Sequence, residues 1–225
     1  TGKVDLINSP VPQVKANHLL IQTSVSLLSS GTERMLLNFG KAGIIGKIRQ
    51  QPDKVKEVIQ KAKTEGIATT IDAVKSKLDQ PLPLGYCNVG RVLAIGKGVS
   101  GYEVGDRVLS NGAHAEVVHI GKNLCVKIPD SVSDEEAVFG VLGSIGLEGI
   151  RLAAPTLGET FVVIGLGLVG LLTAQLLKAH GCRVLGVEFD ASRCALAKTF
   201  GITTVNPAQG EDPVSVAENF SRGNG

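Results

Sequence analysis

Residues 160–189 constrain this chain more than any other stretch. Phe161-Val162-Val163-Ile164 is an apolar run suited to a strand buried on both faces. It leads into Gly165-Leu166-Gly167-Leu168-Val169-Gly170, a GxGxxG pattern. In such a turn the first glycine allows a tight reversal, the second lets the main chain approach a pyrophosphate, and the third lets helix and strand pack closely. Leu171 to His180 continues as a helix, so the amides at its start, with Leu168 and Val169 among them, face the phosphates. Gly181-Cys182-Arg183 then turns into a second strand, Val184-Leu185-Gly186-Val187-Glu188. Glu188 stands 18 residues past Gly170, where a carboxylate accepts hydrogen bonds from the adenosine ribose hydroxyls. A 2′-phosphate there would meet a like charge, which favours NAD over NADP. Arg193 weakens that preference, because a guanidinium tolerates a phosphate. The bland alternative is a glycine turn in a nucleotide-free α/β protein. It leaves the agreement of both strands, the helix and the terminal acid unexplained.

The bulk properties narrow the setting. A length of 225 residues suffices for one large domain or two ordinary ones. Forty-three per cent apolar and 20% charged residues suit a soluble globular protein. A net charge of +2 without long single-sign runs, and 4% aromatic residues, give no reason to expect nucleic acid. The cysteines, Cys87, Cys125, Cys182 and Cys194, include no CxxC pair, which argues against a zinc knuckle. A disulfide framework is not expected in a chain this long, and a reducing cytoplasm is the expected location. Thr1 to Asp5 lack the apolar core of a secretory signal. Residues 160–177 carry no charge, but they are barely long enough to span a bilayer and three glycines interrupt them, so no membrane span is expected. The chain begins without Met and stops on a turn-like Ser221-Arg222-Gly223-Asn224-Gly225, so it is expected to be part of a longer protein.

Two halves are legible. Val4-Asp5-Leu6-Ile7 and His18 to Val25 read as strands, with Pro10 and Pro12 between them. Apolar stripes at Val55, Val58, Ile59 and Ala62, and then at Ile71, Val74 and Leu78, predict a helical hairpin within an insertion at 35–80. Residues 84–128 return to short strands: Val89 to Gly96, a turn through Val104 to Val108, and His114 to Ile120. Asp130 or Ser133 is placed to cap a helix that opens on Asp134-Glu135-Glu136. From Thr160 onward strands alternate with helices, the pattern of a parallel sheet. The expected division lies near residue 130: a β-rich domain over 1–130, then the first half of a doubly wound sheet over 131–225.

Several stretches resemble the medium-chain dehydrogenase/reductase superfamily, the relatives of zinc-type alcohol dehydrogenases. They are Gly105-Asp106-Arg107-Val108, Ala113-His114-Ala115-Glu116, Lys127-Ile128-Pro129-Asp130 and Val187-Glu188-Phe189-Asp190. Leu28 to Glu33, Pro81 to Gly90 and the helical segment between them carry a closer likeness. It is to bacterial two-part oxidoreductases in which such a unit precedes a Gfo/Idh/MocA-like domain, often in polysaccharide gene neighbourhoods. The resemblance implies an α/β protein: a GroES-like catalytic domain and a Rossmann domain with a cleft between them, with the remaining sheet strands missing here. It also implies an enzyme that interconverts an alcohol and a carbonyl with NAD(H), often as a homodimer.

The zinc ligands of that family are not matched. Its Cys before Gly-Thr-Asp corresponds to Ser30-Gly31-Thr32-Glu33, its Gly-His-Glu to Gly85-Tyr86-Cys87, and its third ligand falls at or near Gly140. No zinc is therefore expected, and His114 and His119 are read as ordinary strand residues. Without a metal, hydrogen-bond donors must polarise the carbonyl. By the resemblance, Thr32 matches the family's relay hydroxyl, Tyr86 replaces a zinc ligand, and Ser144 lies near the nicotinamide; Ser30 is a weaker candidate. The plain readings are a packed turn residue for Tyr86 and helix capping for Thr32 and Glu33. The basic residues of the insertion suit a solvated helical face, contact with a phosphate of a sugar nucleotide, or docking onto a partner. Two other functions stay open: a zinc-dependent polyol dehydrogenase with atypical ligands, and a non-catalytic NAD-binding module.

Overall fold

A computed structural model describes residues 3–41 and 81–223. Of the helical insertion expected at 35–80, residues 35–41 belong to a helix and residues 42–80, with both apolar stripes of the hairpin, lie outside the described residues. The chain forms two compact units, Thr1–Lys127 and Ile128–Gly225.

The first unit is an antiparallel sheet with strand order β4-β1-β2-β3-β5. Its strands are β1 (His18–Ser26), β2 (Asn88–Ile95), β3 (Arg107–Ser110), β4 (Val117–Gly121) and β5 (Cys125–Lys127). Leu19 and Ile21, two apart on β1, bury the same face, as strand periodicity requires. They pack with Val92, Val108 and Val118 from three other strands of the sheet. Fully burying each such side chain contributes about 1.5–3 kcal/mol. Helix α1 (Ser30–Lys41) follows β1 directly.

Two strand expectations need correction. Residues 4–7 are irregular, and Val4, Leu6 and Ile7 are all exposed, so no packed face rewards their apolar character. The strand expected from His114 begins only at Val117. His114 sits in a bend, and its side chain turns away from the sheet pattern to polar partners described below.

The second unit opens with α2 (Asp134–Ala137) and α3 (Gly140–Ala153). Ser133 caps α2: its hydroxyl accepts from Glu136 N while the Glu136 side chain accepts from Ser133 N, a capping box. A parallel sheet in the order β6-β7-β8 follows, formed by β6 (Thr160–Ile164), β7 (Arg183–Val187) and β8 (Thr203–Val205). It alternates with α4 (Leu168–Ala179), α5 (Ala191–Thr199) and α6 (Pro213–Ser221). On β6 the expected burial of both faces is not met: Phe161 and Val163 pack against the core beside α4, whereas Val162 and Ile164, on the other face, are 44% and 84% exposed; β7 is covered on both faces. Val184 packs with Ala174, Leu177 and Ala197 from α4 and α5, whereas Leu185 and Val187 pack with Val216, Ala217 and Phe220 from α6. That double burial explains why β7 reads as a continuous apolar run. Among the described residues no helix is long and apolar enough to cross a membrane.

Candidate functional site

The glycine turn sits at the carboxyl end of β6. Gly165 adopts a φ of +85°, open to glycine at little cost, and its amide donates to Val187 O at 2.8 Å, tying the turn to β7. Gly170 is needed for closeness: a Cβ there would fall on the carbonyl oxygen of Gly165. Gly167 occupies the cap of α4 and has no side chain to fill it. The ordinary helical bonding begins with Leu171 N donating to Gly167 O at 2.8 Å, so the preceding amides of Leu168, Val169 and Gly170 remain at the positive end of the helix.

Glu188 follows β7 and is buried. One carboxylate oxygen accepts from Leu166 N at 2.9 Å, within the glycine turn; the other accepts from Phe189 N at 2.8 Å and Asp190 N at 3.0 Å. Burial by itself raises this carboxyl, but the three amides and the Arg193 charge outweigh it and hold the group below its ordinary range. Arg193 Nη1 lies 3.5 Å from Glu188 and 3.9 Å from where a Cβ on Gly167 would stand. The expected cofactor residues on these elements, Gly165 to Gly170, Glu188 and Arg193, are thus gathered at one end of the sheet. Ser144 lies on α3 instead, and its hydroxyl donates to Val141 O of the same helix at 2.7 Å.

In the first unit the Tyr86 hydroxyl donates to Ser29 Oγ at 2.9 Å and lies 3.2 Å from Thr32 Oγ1. Thr32 and Tyr86 are 54 residues apart in sequence, yet they meet. Ser30 does not make the Tyr86 contact. It is exposed at the first position of α1, and Ser29 beside it is buried and takes that place. Glu33, one turn into α1, is 5% exposed and turns its Oε1 back to accept from Ser29 N at 2.9 Å, capping the helix start. The same oxygen is 3.1 Å from His114 Nε2, and His114 Nδ1 is 2.9 Å from Ser26 Oγ.

His114 is therefore not an ordinary strand residue. His119 does sit on β4, stacked on His18 with ring centroids 4.3 Å apart. Cys87, next to Tyr86, is fully buried, and burial followed by the Glu33 charge pushes its thiol up to about 11.

The donors at the three positions that match the family's zinc ligands do not suit zinc. Ser30 and Tyr86 offer hydroxyls, Gly140 offers only backbone, and the Cys87 thiol strongly favours its protonated form. Among the described residues no three His, Cys, Asp or Glu side chains gather as a metal site would need. The glycine turn, by contrast, fits a dinucleotide in every part: positive φ, close approach, uncapped helix amides and an acid at the end of the next strand.

An antiparallel β unit followed by a parallel, dinucleotide-type α/β unit defines the class: a GroES-like domain joined to a Rossmann domain. No family model matches the chain. It is 27% identical over 172 residues to (R,R)-butanediol dehydrogenase of Bacillus subtilis, covering 64% of this chain and 50% of that protein. It is 35% identical over 122 residues to D-guloside 3-dehydrogenase of Escherichia coli, covering 52% of this chain and 35% of that protein. The structure of alcohol dehydrogenase TADH from Thermus sp. ATN1 superposes with a TM-score of 0.76 at 20% identity, covering 100% of this chain and 66% of that one. The chain spans about half the length of the curated relatives it matches. Its relatives and structural neighbours are zinc-type alcohol dehydrogenases and their kin, members of the medium-chain dehydrogenase/reductase superfamily.

Proposed function

We propose that this chain is the catalytic and nucleotide-binding part of an NAD(H)-dependent oxidoreductase. It interconverts an alcohol and a carbonyl without zinc, on a polyol or sugar derivative, with sugar nucleotides among the candidates. The observation that carries this reading is the Tyr86 hydroxyl, held between Ser29 Oγ and Thr32 Oγ1 at a position where the family places a metal ligand. The relatives named for butanediol and D-guloside support a small hydroxyl-bearing substrate.

When bound, the nicotinamide takes or gives the hydride. Gly165 to Gly170 hold the pyrophosphate, Glu188 faces the adenosine ribose, and Arg193 limits how strictly a 2′-phosphate is refused. The β unit handles the proton. In reduction, Tyr86 gives its hydroxyl proton to the substrate oxygen as the carbonyl carbon gains the hydride; in oxidation the same oxygen takes the alcohol proton as the hydride leaves. To act, Tyr86 must release Ser29 Oγ, and Thr32 Oγ1 at 3.2 Å keeps it oriented meanwhile. A homodimer is the form proposed for the whole protein.

The test is NADH formation with 2,3-butanediol, xylitol and a D-guloside as probes. Turnover on one of them, lost in Tyr86→Phe with NAD affinity retained, supports the assignment. Tight NAD binding with no turnover on any probe favours a non-catalytic NAD-binding module.

A further inference from the structure

His114 joins the segments that carry the hydroxyl cluster. Its backbone amide donates to Leu84 O at 2.8 Å, so it holds the loop that delivers Tyr86. Its ring lies against Gly85, which adopts a φ of +88°; a Cβ on that glycine would stand 2.7 Å from the imidazole. Its Nε2 reaches Glu33 Oε1 at 3.1 Å on α1, and its Nδ1 reaches Ser26 Oγ at 2.9 Å at the end of β1. Glu33 Oε1 already accepts from Ser29 N, so it is an acceptor toward His114 as well, and the imidazole carries its proton on Nε2. In the neutral ring Nδ1 is then free to accept from the Ser26 hydroxyl. His114 touches neither the Tyr86 hydroxyl nor Ser29 Oγ in any bond described above. It acts on both through their neighbours: Tyr86 through Leu84 and Gly85, Ser29 through Glu33.

We propose that His114 is a positioning residue that locks the Gly85–Tyr86 turn to the Ser29–Glu33 helix start and thereby sets the Tyr86, Ser29 and Thr32 hydroxyls in register. Its catalytic meaning rests on the acid–base role proposed for Tyr86, but the positioning itself does not. A side chain of 25% exposure that satisfies both ring nitrogens on separate segments does more than fill space. Loosening it by a fraction of an ångström lowers turnover, since misplacement of about 1 Å costs on the order of a hundredfold.

The chain has two tyrosines and no tryptophan, so a Tyr102→Phe background leaves Tyr86 as the sole tyrosine signal. The experiment is ring-labelled tyrosine NMR on that background, with amide spectra and thermal midpoints as fold controls. The expected result is that His114→Asn shifts and broadens the Tyr86 resonance, whereas His119→Asn, on the same sheet, leaves it alone. Glu33→Ala reproduces the His114 effect, and Glu33→Gln, whose carbonyl oxygen still accepts both bonds, retains the native signal. If His114→Asn fails to fold, the two Glu33 variants decide. An unchanged Tyr86 resonance in folded His114→Asn, or in Glu33→Ala, overturns the proposal.

Turnover on the probe alcohols separates this inference from the reading it rests on. His114→Asn is expected to lower kcat about tenfold to a hundredfold, with KM for NAD unchanged. A shifted resonance combined with full activity in Tyr86→Phe would uphold the positioning and overturn the acid–base role instead.

Discussion

Glu188 and Leu166 are joined by a hydrogen bond of 2.9 Å from the Leu166 amide to a buried carboxylate oxygen, so the end of β7 and the glycine turn are built as one piece. The acid expected to face the ribose is therefore also a structural member of the turn. Glu188→Ala is expected to leave the amides of Leu166, Phe189 and Asp190 without their acceptor, at about 1.5–3 kcal/mol. Chemical denaturation of the variant measures this. Glu188→Gln keeps one acceptor but removes the charge, so its NADP affinity rises relative to NAD in parallel titrations.

The same group gives an acid dependence of known sign. The folded carboxyl of Glu188 lies below its unfolded value, so its stabilising contribution is complete above that value and is lost as pH falls through the folded one. Between neutral pH and strongly acid conditions, the native chain should lose more stability than Glu188→Gln. Parallel denaturation series across that range would show equal losses if the buried carboxylate played no part.

At the alkaline end the sign reverses. Cys87 holds its proton up to about 11 in the fold against 9.0 for a free thiol, because of burial and then the Glu33 charge. The unfolded chain gives up that proton first, so stability falls as pH rises through the window between those values. Cys125, raised to about 11 by burial, adds to the slope. Replacing both with alanine should flatten the alkaline decline. Native Cys87, fully buried, should also resist alkylation at neutral pH until the chain unfolds.

Gly170→Ala should abolish nucleotide binding, because the new methyl meets the carbonyl oxygen of Gly165, and backbone cannot step aside as a side chain can. Gly165→Ala should do less. Nothing lies within 4 Å of a Cβ there, and the cost is that of a positive φ, about 1–2 kcal/mol. Dissociation constants for NAD in the two variants test that order.

What could be read from the sequence follows from how local each feature is. The glycine turn, β6, α4 and β7 run consecutively from Thr160 to Val187, and periodicity and spacing suffice to place them. The capping box at Ser133 and Glu136 is equally local. Thr32 and Tyr86 came from matched motifs, and the fold brings them together. The capping read for Glu33 is local too and is met by its bond to Ser29 N, whereas the contacts of Ser29 with Tyr86 and of Glu33 with His114 are not legible because the partners are remote: His114 meets Glu33 across 81 residues of sequence. The run His114 to Ile120 alternates well enough to suggest a strand, and only tertiary contacts turn His114 out of it. Residues 4–7 show the reverse error, in which an apolar run found no face to cover.

Proton transfer through the Tyr86 hydroxyl, coupled to hydride exchange with NAD, is the central step proposed for this chain. The most direct measurement is NADH formation by the chain on the probe alcohols before and after exhaustive chelation, with Tyr86→Phe alongside. Turnover that survives chelation and drops about a hundredfold or more in Tyr86→Phe is the predicted result. Turnover that disappears on chelation, returns with zinc and is indifferent to Tyr86→Phe would contradict it.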